Sequence, residues 1–397
     1  MTDAAGELDA GAATGPLAGV RVVDLTVNVL GPVATQILGD MGADVVKVES
    51  PEGDGNRRIG SDGHPGMGAL YMTMNRNKRS IVLDLKRAAA REALMRMVAS
   101  ADVFVHGMRA RAAERLGIAY PAVAARNPGI VYASAPGYRP DGPHRDRPAY
   151  DDVIQAESGI AGLAARVGGE PRYIPTVVCD KLCGYVLASA IVMALYHRAR
   201  TGEGQEVHVP MLETMLGFNL LDHLWRGVFD ESATDLGYPR LLTPLRRPYA
   251  TRDGHLAVMA SNDAQWARLL TAIGRADLAA DERFARLEHR SSRIEELYAT
   301  VAEAMRHDTT AGWQARLEAA DIPHGPVRRV EELPNDPYLV ATEFFRHYQH
   351  PAEGPAVTTA IPLRFSRTPG NIRRPPPVLG EHTREVLLEH GLGEDDV

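Results

Sequence analysis

The stretch VRVVDLTVNVLGPVATQILGDMGADVVKVE, Val20 to Glu49, decides the fold. VRVVDL (Val20 to Leu25) has the β-branched density of a strand. GPVATQILGDMG (Gly31 to Gly42) places Pro32 in a first-turn position and stops on glycine, as a helix does. ADVVKVE (Ala43 to Glu49) is again a strand. A strand, a crossover helix and a second strand predict a parallel pair.

The same alternation continues outward. SIVLDL (Ser80 to Leu85), a helical run from Arg87 to Ser100, DVFV (Asp102 to Val105) and GIVYASA (Gly129 to Ala135) extend it into an α/β fold with a parallel sheet. Ligands on such sheets bind beyond the carboxyl ends of the strands, which directs attention to the loops after Leu25, Glu49, Leu85, Val105 and Ala135. The first turn reads TVNVLGPVAT and lacks the G-x-G-x-x-G of a dinucleotide site, so the NAD reading loses its main support. Basic residues recur nearby: Lys78, Arg79, Lys86, Arg87, Arg109, Arg111 and Arg115. Each alone is an ordinary solvated side chain, but their recurrence at one predicted edge suits a phosphate-bearing ligand.

Composition narrows the classes. A chain of 397 residues exceeds what one hydrophobic core usually supports, so two domains are expected. A formal net charge of -7 argues against general nucleic-acid affinity, so an anionic ligand must meet a local basic cluster. Cys179 and Cys183 read as small buried hydrophobes in a reducing compartment, with no further ligands spaced for a metal. The opening MTDAAGELDAGAATG is acidic and rich in Ala and Gly, which reads as a flexible tail over residues 1–15 rather than a signal peptide. The apolar run Leu182 to Tyr196 falls short of the roughly 20 residues of a membrane span. A cytoplasmic protein is expected.

A second stretch carries the chemistry: PTVVCDKLCGYVLASAIVMALYHRARTGEG, Pro175 to Gly204. It reads as one buried helix with Asp180 at its mouth, a basic last turn and Gly202 as its stop. The amides and positive dipole end of a helix favour an ionised carboxylate at that place. From this stretch alone, Asp180 is most simply an ordinary cap.

Segments along nearly the whole chain change that reading. PLAGVRVVDLT (Pro16 to Thr26), GADVVKVESPEGD (Gly42 to Asp54), NRNKRSIVLDLK (Asn75 to Lys86), AERLGI (Ala113 to Ile118), RPAYDDVIQAESG (Arg147 to Gly159), CDKLCGYVLASAIVMALYHRARTGEGQEV (Cys179 to Val207) and LGEHTREVLLEHGL (Leu379 to Leu392) occur in family order. The chain thereby resembles the family III CoA-transferases, the group of formyl-CoA and carnitine-type CoA-transferases, with α-methylacyl-CoA racemase as a divergent branch.

The resemblance implies that Asp180 is the nucleophile that takes CoA from one acid and hands it to another. It implies a pocket begun by Val29 and Leu30, with Leu83 to Lys86 along the nucleotide. Met108, Arg109 and Arg115 would follow, with Tyr150 and Asp151 close to the thioester. Arg109, Arg115 and Lys86 are the expected phosphate ligands. The chain departs from the family pattern at Val29, where glutamine is common, at Ser50, where a basic residue is frequent, and at Gly107-Met108, which replace Asn-Phe. Coenzyme A thioesters enter as substrates, and no permanently bound cofactor is expected. Family members wind two chains into an interlocked homodimer, which the resemblance implies here too.

Two alternatives stay open. An acyl-CoA racemase, epimerase or hydrolase could use the same scaffold, but the racemase branch has histidine where Tyr150 stands, and a tyrosine of ordinary pKa near 10 is a poor base at neutral pH. His144, six residues earlier, reads as a solvent-exposed loop residue. A protein that binds CoA without catalysis is the other alternative. From about Asp222 the texture changes to short strand signals around Gly254 to Met259 and helices rich in Arg, Ala and Glu. The expected division is a large α/β domain over 16–221 and 331–397 and a smaller α+β domain over 222–330. The resemblance makes the small domain a cover for the acyl end of CoA. The glycine-rich lid of formyl-CoA transferase-like members is absent, which leaves Tyr238 to Arg247 as a candidate cover. Arg246 and Arg247, with His223, are candidates to read a second carboxylate, and Asp263 reads as a helix cap.

Overall fold

The structure, a computed structural model, describes residues 8–9 and 11–393. The chain forms two compact units: one comprises the residues up to Gly159, Tyr173–Phe218 and Val340 onward, the other Ile160–Arg172 and Asn219–Leu339. The part of the expected tail at residues 1–7 and 10 lies outside the described residues. Asp9 and Thr14, also expected in the tail, are hydrogen-bonded to the carbonyls of Ile372 and Pro369.

The larger unit is built on six parallel strands: β1 (Arg21–Leu25), β2 (Asp44–Glu49), β3 (Lys78–Val82), β4 (Val103–His106), β5 (Val131–Ser134) and β6 (Gln205–His208). Their spatial order is β3-β2-β1-β4-β5-β6. The chain therefore runs outward from β1 in one direction and then returns to begin again on the other side with β4. The loops after β1 and β4 part from each other at this reversal, and a crevice opens between them. β6 was not legible as a strand, because QEVH alternates half-buried and exposed residues at the sheet edge.

Five helices matter for the site: α1 (Leu30–Asp40), α2 (Ala88–Ser100), α3 (Ala110–Leu116), α4 (Asp151–Glu157) and α5 (Val178–Thr201). One side of the sheet is sealed by α2 together with the late helix Thr383–Glu389; Val23, Val48, Ile81, Phe104, Leu94 and Val386 share that core. The last segment is fastened by polar bonds as well. Arg79, on β3, holds Asp44, Glu385 and Glu389, and the Asn77 side-chain oxygen accepts the N–H groups of Arg373 and Arg374.

α1 and α5 lie against each other through Gly184. A Cβ there would come 2.7 Å from the carbonyl oxygen of Leu30 and 3.0 Å from a Val33 methyl, so glycine is what permits the approach. α5 differs from the buried helix expected. Cys179, Cys183, Leu187 and Ile191 are buried, but Tyr185, Val192, Met193 and Tyr196 on its other side are exposed, with Met193 at 70%. By length and composition alone, α5 is also apolar enough to cross a membrane, which the shorter apolar run read from the sequence was not.

In the smaller unit, Tyr249–Ala250, His255–Val258 and His324–Pro326 form a three-stranded antiparallel sheet. Leu256, Trp266, Leu269, Phe284, Leu297 and Trp313 fill its core. Asn262, not Asp263, caps the helix Asp263–Ala272, while Asp263 binds the buried Arg290 at 2.6 Å. Arg246 and Arg247 are exposed in this unit, and His223 is buried there with Nδ1 accepting the Tyr238 N–H. Arg240, within the Tyr238 to Arg247 segment, is tied to the Tyr298 hydroxyl and the Ala260 carbonyl.

Candidate active site

The crevice at the sheet reversal is a cleft of about 380 Å³. Its walls are Thr26, Val27 and Asn28 after β1, Leu30 and Gly31 at the start of α1, and Gly107, Met108 and Arg109 after β4. Pro136 and Gly137 after β5, the Arg147 to Tyr150 segment and Asp180 complete it.

Burial of charge beneath this cleft explains how its first wall is held. Lys47, on β2 and fully buried, donates to the Thr26 carbonyl at 2.7 Å and to Asp54 at 2.9 Å. The other Asp54 oxygen accepts the N–H groups of Asn28 and Asn56, and the Asn56 amide reaches back to the Asn28 carbonyl. Asn28 is thereby kept at φ 64°, a left-handed conformation that asparagine tolerates better than most residues. Gly31 sits so close to Thr26 that a Cβ would overlap its side chain.

The second wall is fixed by His106, the last residue of β4. Its Nδ1 accepts the Met108 N–H at 3.1 Å, which assigns the proton to Nε2, 2.6 Å from the Tyr132 hydroxyl; that hydroxyl then donates to the Ile118 carbonyl. Burial, then the nearby His208, lowers His106 to a pKa of about 4 and keeps it neutral.

Asp180 occupies the first turn of α5, two residues past its first residue, with Val177 in the capping position. Its own backbone N–H is given to Asp151, which caps the helix from α4 at 2.9 Å. The carboxyl behaves differently from the sequence expectation. Burial first, and then the Asp151 carboxylate, push its pKa up to about 7, so near neutrality it is divided between its charged and neutral forms. These two effects outweigh the favourable influence expected from the helix start.

Of the residues singled out from the sequence, the cleft brings together Leu30, Met108, Arg109, Tyr150 and Asp180. Tyr150 is 69% exposed. Val29 is buried and lines a separate apolar cavity with Val33, Met74 and Val177. Leu83 lies in the hydrophobic core. Lys86 and Arg115 are exposed and do not line the cleft, and Asp151 is buried behind it. Lys78 and Arg79, read as part of a basic edge, are engaged elsewhere. Lys78 is enclosed with Asn75, Asp24 and the Pro32 carbonyl, and burial lowers its pKa to about 8.

Sequence reasoning did not single out Arg147, Asn28 or Gln155. Arg147 lines the cleft, bonds Glu157 at 2.8 Å and stacks over Tyr138. It stands in the RPAYDD run already noted, so the signal was its neighbourhood. Nothing in local sequence marks Asn28, whose place depends on Asp54 and Asn56. No group of three or more potential metal ligands occurs among the described residues.

Residues 17–383 match the family described as CoA-transferase family III. A probable fatty acyl-CoA transferase of Mycobacterium tuberculosis is 32% identical, over 94% of this chain and 97% of its own. A formyl-CoA:oxalate CoA-transferase of Streptomyces avermitilis is 34% identical over 97% and 98%, and a succinate–glutarate CoA-transferase of Agrobacterium fabrum 32% over 94% and 95%. Among solved structures, a CAIB/BAIF family protein from Brucella suis superposes with a TM-score of 0.80 at 31% identity, covering 95% of this chain and all of that one.

Proposed function

Because the chain belongs to CoA-transferase family III, we propose that it moves coenzyme A from an acyl-CoA donor to a carboxylic acid through Asp180. The observation that carries this reading is the placement of Asp180 in the crevice at the sheet reversal, which Arg109 also lines. Ionised Asp180 attacks the thioester carbonyl and expels CoA thiolate, leaving an acyl aspartyl anhydride. The thiolate attacks the aspartyl carbonyl of that anhydride and releases the donor acid. An acceptor carboxylate then attacks the aspartyl-CoA thioester, and the freed thiolate takes the acceptor's acyl group from the second anhydride. Asp180 returns as a carboxylate, and the cycle needs no net proton. Both intermediates hydrolyse readily, so water must be kept away. A pKa of about 7 fits a group that must be charged to attack yet sits in a poorly hydrated place.

Arg109 is proposed to meet a CoA phosphate, and its open position at the cleft supports that role. We propose further that the active form is a homodimer. Tyr185, Val192, Met193 and Tyr196 on α5 line an apolar groove of about 1210 Å³ with Leu363 and Phe365, a surface that a second copy would cover. The two unpaired, buried cysteines support a cytoplasmic setting.

Intact mass after incubation with a panel of acyl-CoA donors, followed by hydroxylamine or borohydride, tests the reading. An adduct that is absent in Asp180→Asn is expected. Clear CoA binding with no adduct from any donor would replace it with a racemase or a binding protein. A folded monomer in sedimentation at low concentration would remove the dimer.

A further inference from the structure

Asp151 and Gln155 stand one helical turn apart on α4, and both are nearly sealed from solvent at 4% and 1% exposure. Neither Asp151 oxygen is open to a ligand in the cleft. Oδ1 accepts the Asp180 N–H at 2.9 Å, and Oδ2 accepts the Gln155 amide at 2.6 Å. The Gln155 side chain also clasps the strand-like approach to α5: its oxygen accepts the Ile174 N–H at 2.8 Å, and its nitrogen lies 3.3 Å from the Thr176 carbonyl. Ile174 to Val177 lead directly into the helix turn that carries Asp180. One glutamine thus joins the delivering segment to the carboxylate that caps Asp180.

We infer that Asp151 and Gln155 are positioning residues for Asp180: Gln155 fixes the backbone that delivers it, and Asp151 fixes its amide while placing a negative charge beside its carboxyl. The inference rests on the reading of Asp180 as nucleophile. A small misplacement of a nucleophile costs far more rate than binding, because attack requires near-contact distance and alignment. The like charge has a separate effect, since it disfavours ionisation of its neighbour. Other charged or titratable groups near Asp180 are few. On α5 there are Lys181, whose ammonium is bonded to the Thr176 hydroxyl at 2.6 Å, and the buried thiols of Cys179 and Cys183. Across the cleft are Arg109, Arg147 and Tyr150, and α4 adds the exposed Asp152.

Two variants separate the geometric from the electrostatic part, and two readouts separate both from the transferase reading. Asp151→Asn, made in and compared with a Gln155→Met background so that the new amide nitrogen meets no opposing donor, keeps an oxygen for the Asp180 N–H but removes the charge. The Asp180 carboxyl, followed by carbon NMR in aspartate-labelled protein and assigned with Asp180→Asn, should then titrate lower by about one pH unit, a tenfold change in its ionisation constant. The pH midpoint of single-turnover adduct formation should move with it. Gln155→Leu, or the less disruptive Gln155→Met, should lower the high-pH plateau of that rate by about tenfold or more and leave the midpoint in place. An unmoved NMR midpoint in Asp151→Asn overturns the electrostatic role. A wild-type plateau in either Gln155 variant, with melting temperature unchanged, overturns the geometric one. If the wild-type protein forms no adduct while the NMR midpoint still shifts, the pairing of Asp151 with Asp180 stands and the transferase reading falls.

Discussion

His106 and Tyr132 meet at 2.6 Å beneath the loop that presents Met108 and Arg109 to the cleft, and the bond that the same imidazole accepts from the Met108 N–H holds only while the ring is neutral and its Nδ1 free to accept. Folding therefore favours the unprotonated ring. As pH falls from the ordinary histidine value of 6.5 towards about 4, the unfolded chain takes up a proton that the folded chain refuses, and stability is lost.

Asp180 acts in the opposite sense. Its folded pKa of about 7 lies above the ordinary 3.8, so the folded chain holds the proton more tightly and stability falls as pH rises between those values. Over about pH 4 to 6.5 the two slopes oppose each other. Asp180→Asn should be more stable than wild type by on the order of 2–4 kcal/mol above pH 7, and by progressively less as pH falls towards 4. Its melting temperature should climb with pH across the range in which the wild-type curve is flatter. Equal pH dependence in the two proteins would contradict the raised value of Asp180.

Lys47 bridges the Thr26 carbonyl and Asp54 with no solvent contact. Lys47→Met fills the same space but leaves Asp54 buried without its cation, so a loss of about 3–5 kcal/mol is expected in urea unfolding. Because Asp54 also holds the Asn28 N–H, the surviving folded fraction should bind CoA more weakly.

Gly184→Ala tests the contact between α1 and α5. The added methyl meets the Leu30 carbonyl, a backbone atom with little freedom to yield, and a cost of about 1–3 kcal/mol follows. A loss below half a kcal/mol by denaturant titration, within the usual range of about ±0.5 kcal/mol for neutral surface changes, would mean that the helices separate easily.

Arg109 lines the cleft, whereas Lys86 and Arg115 do not. Arg109→Ala should raise KM for acyl-CoA by about tenfold, the loss of about 1.4 kcal/mol typical of one charge-assisted contact. Lys86→Ala and Arg115→Ala should leave it within about twofold. The reverse ranking in steady-state kinetics would relocate the phosphates.

The alternation from Val20 to Ala135 was legible because each parallel strand is buried on both faces and written in β-branched residues, with proline and glycine marking helix ends. QEVH escaped notice because an edge strand has no such requirement. Asp180 stood out by its place before an apolar helix, yet its charge state did not follow from that place. The partner that alters it, Asp151, is 29 residues away in sequence, and burial is a property of the assembled unit. Lys78 and Arg79 show the same limit from the other side. Positive charges that read as a ligand-binding edge are satisfied by Asp24 and by Glu385 and Glu389, and the last two lie some 300 residues along the chain.

The fastening of β3 by the end of the chain has a consequence for biosynthesis. Arg79, Asn77 and Ser80 leave the ribosome well before their partners at Arg373, Arg374, His382, Glu385 and Glu389, which are made some 300 residues later. Val386 and Leu387 complete the core over β2 and β3 no sooner. The smaller unit's main segment, Asn219–Leu339, is translated before that closure and can fold while the larger sheet still waits for its last helix. A nascent chain stalled before Thr383 would present an open apolar face to chaperones and proteases, and synthesis of the Thr383–Glu389 helix becomes the event that seals the larger unit.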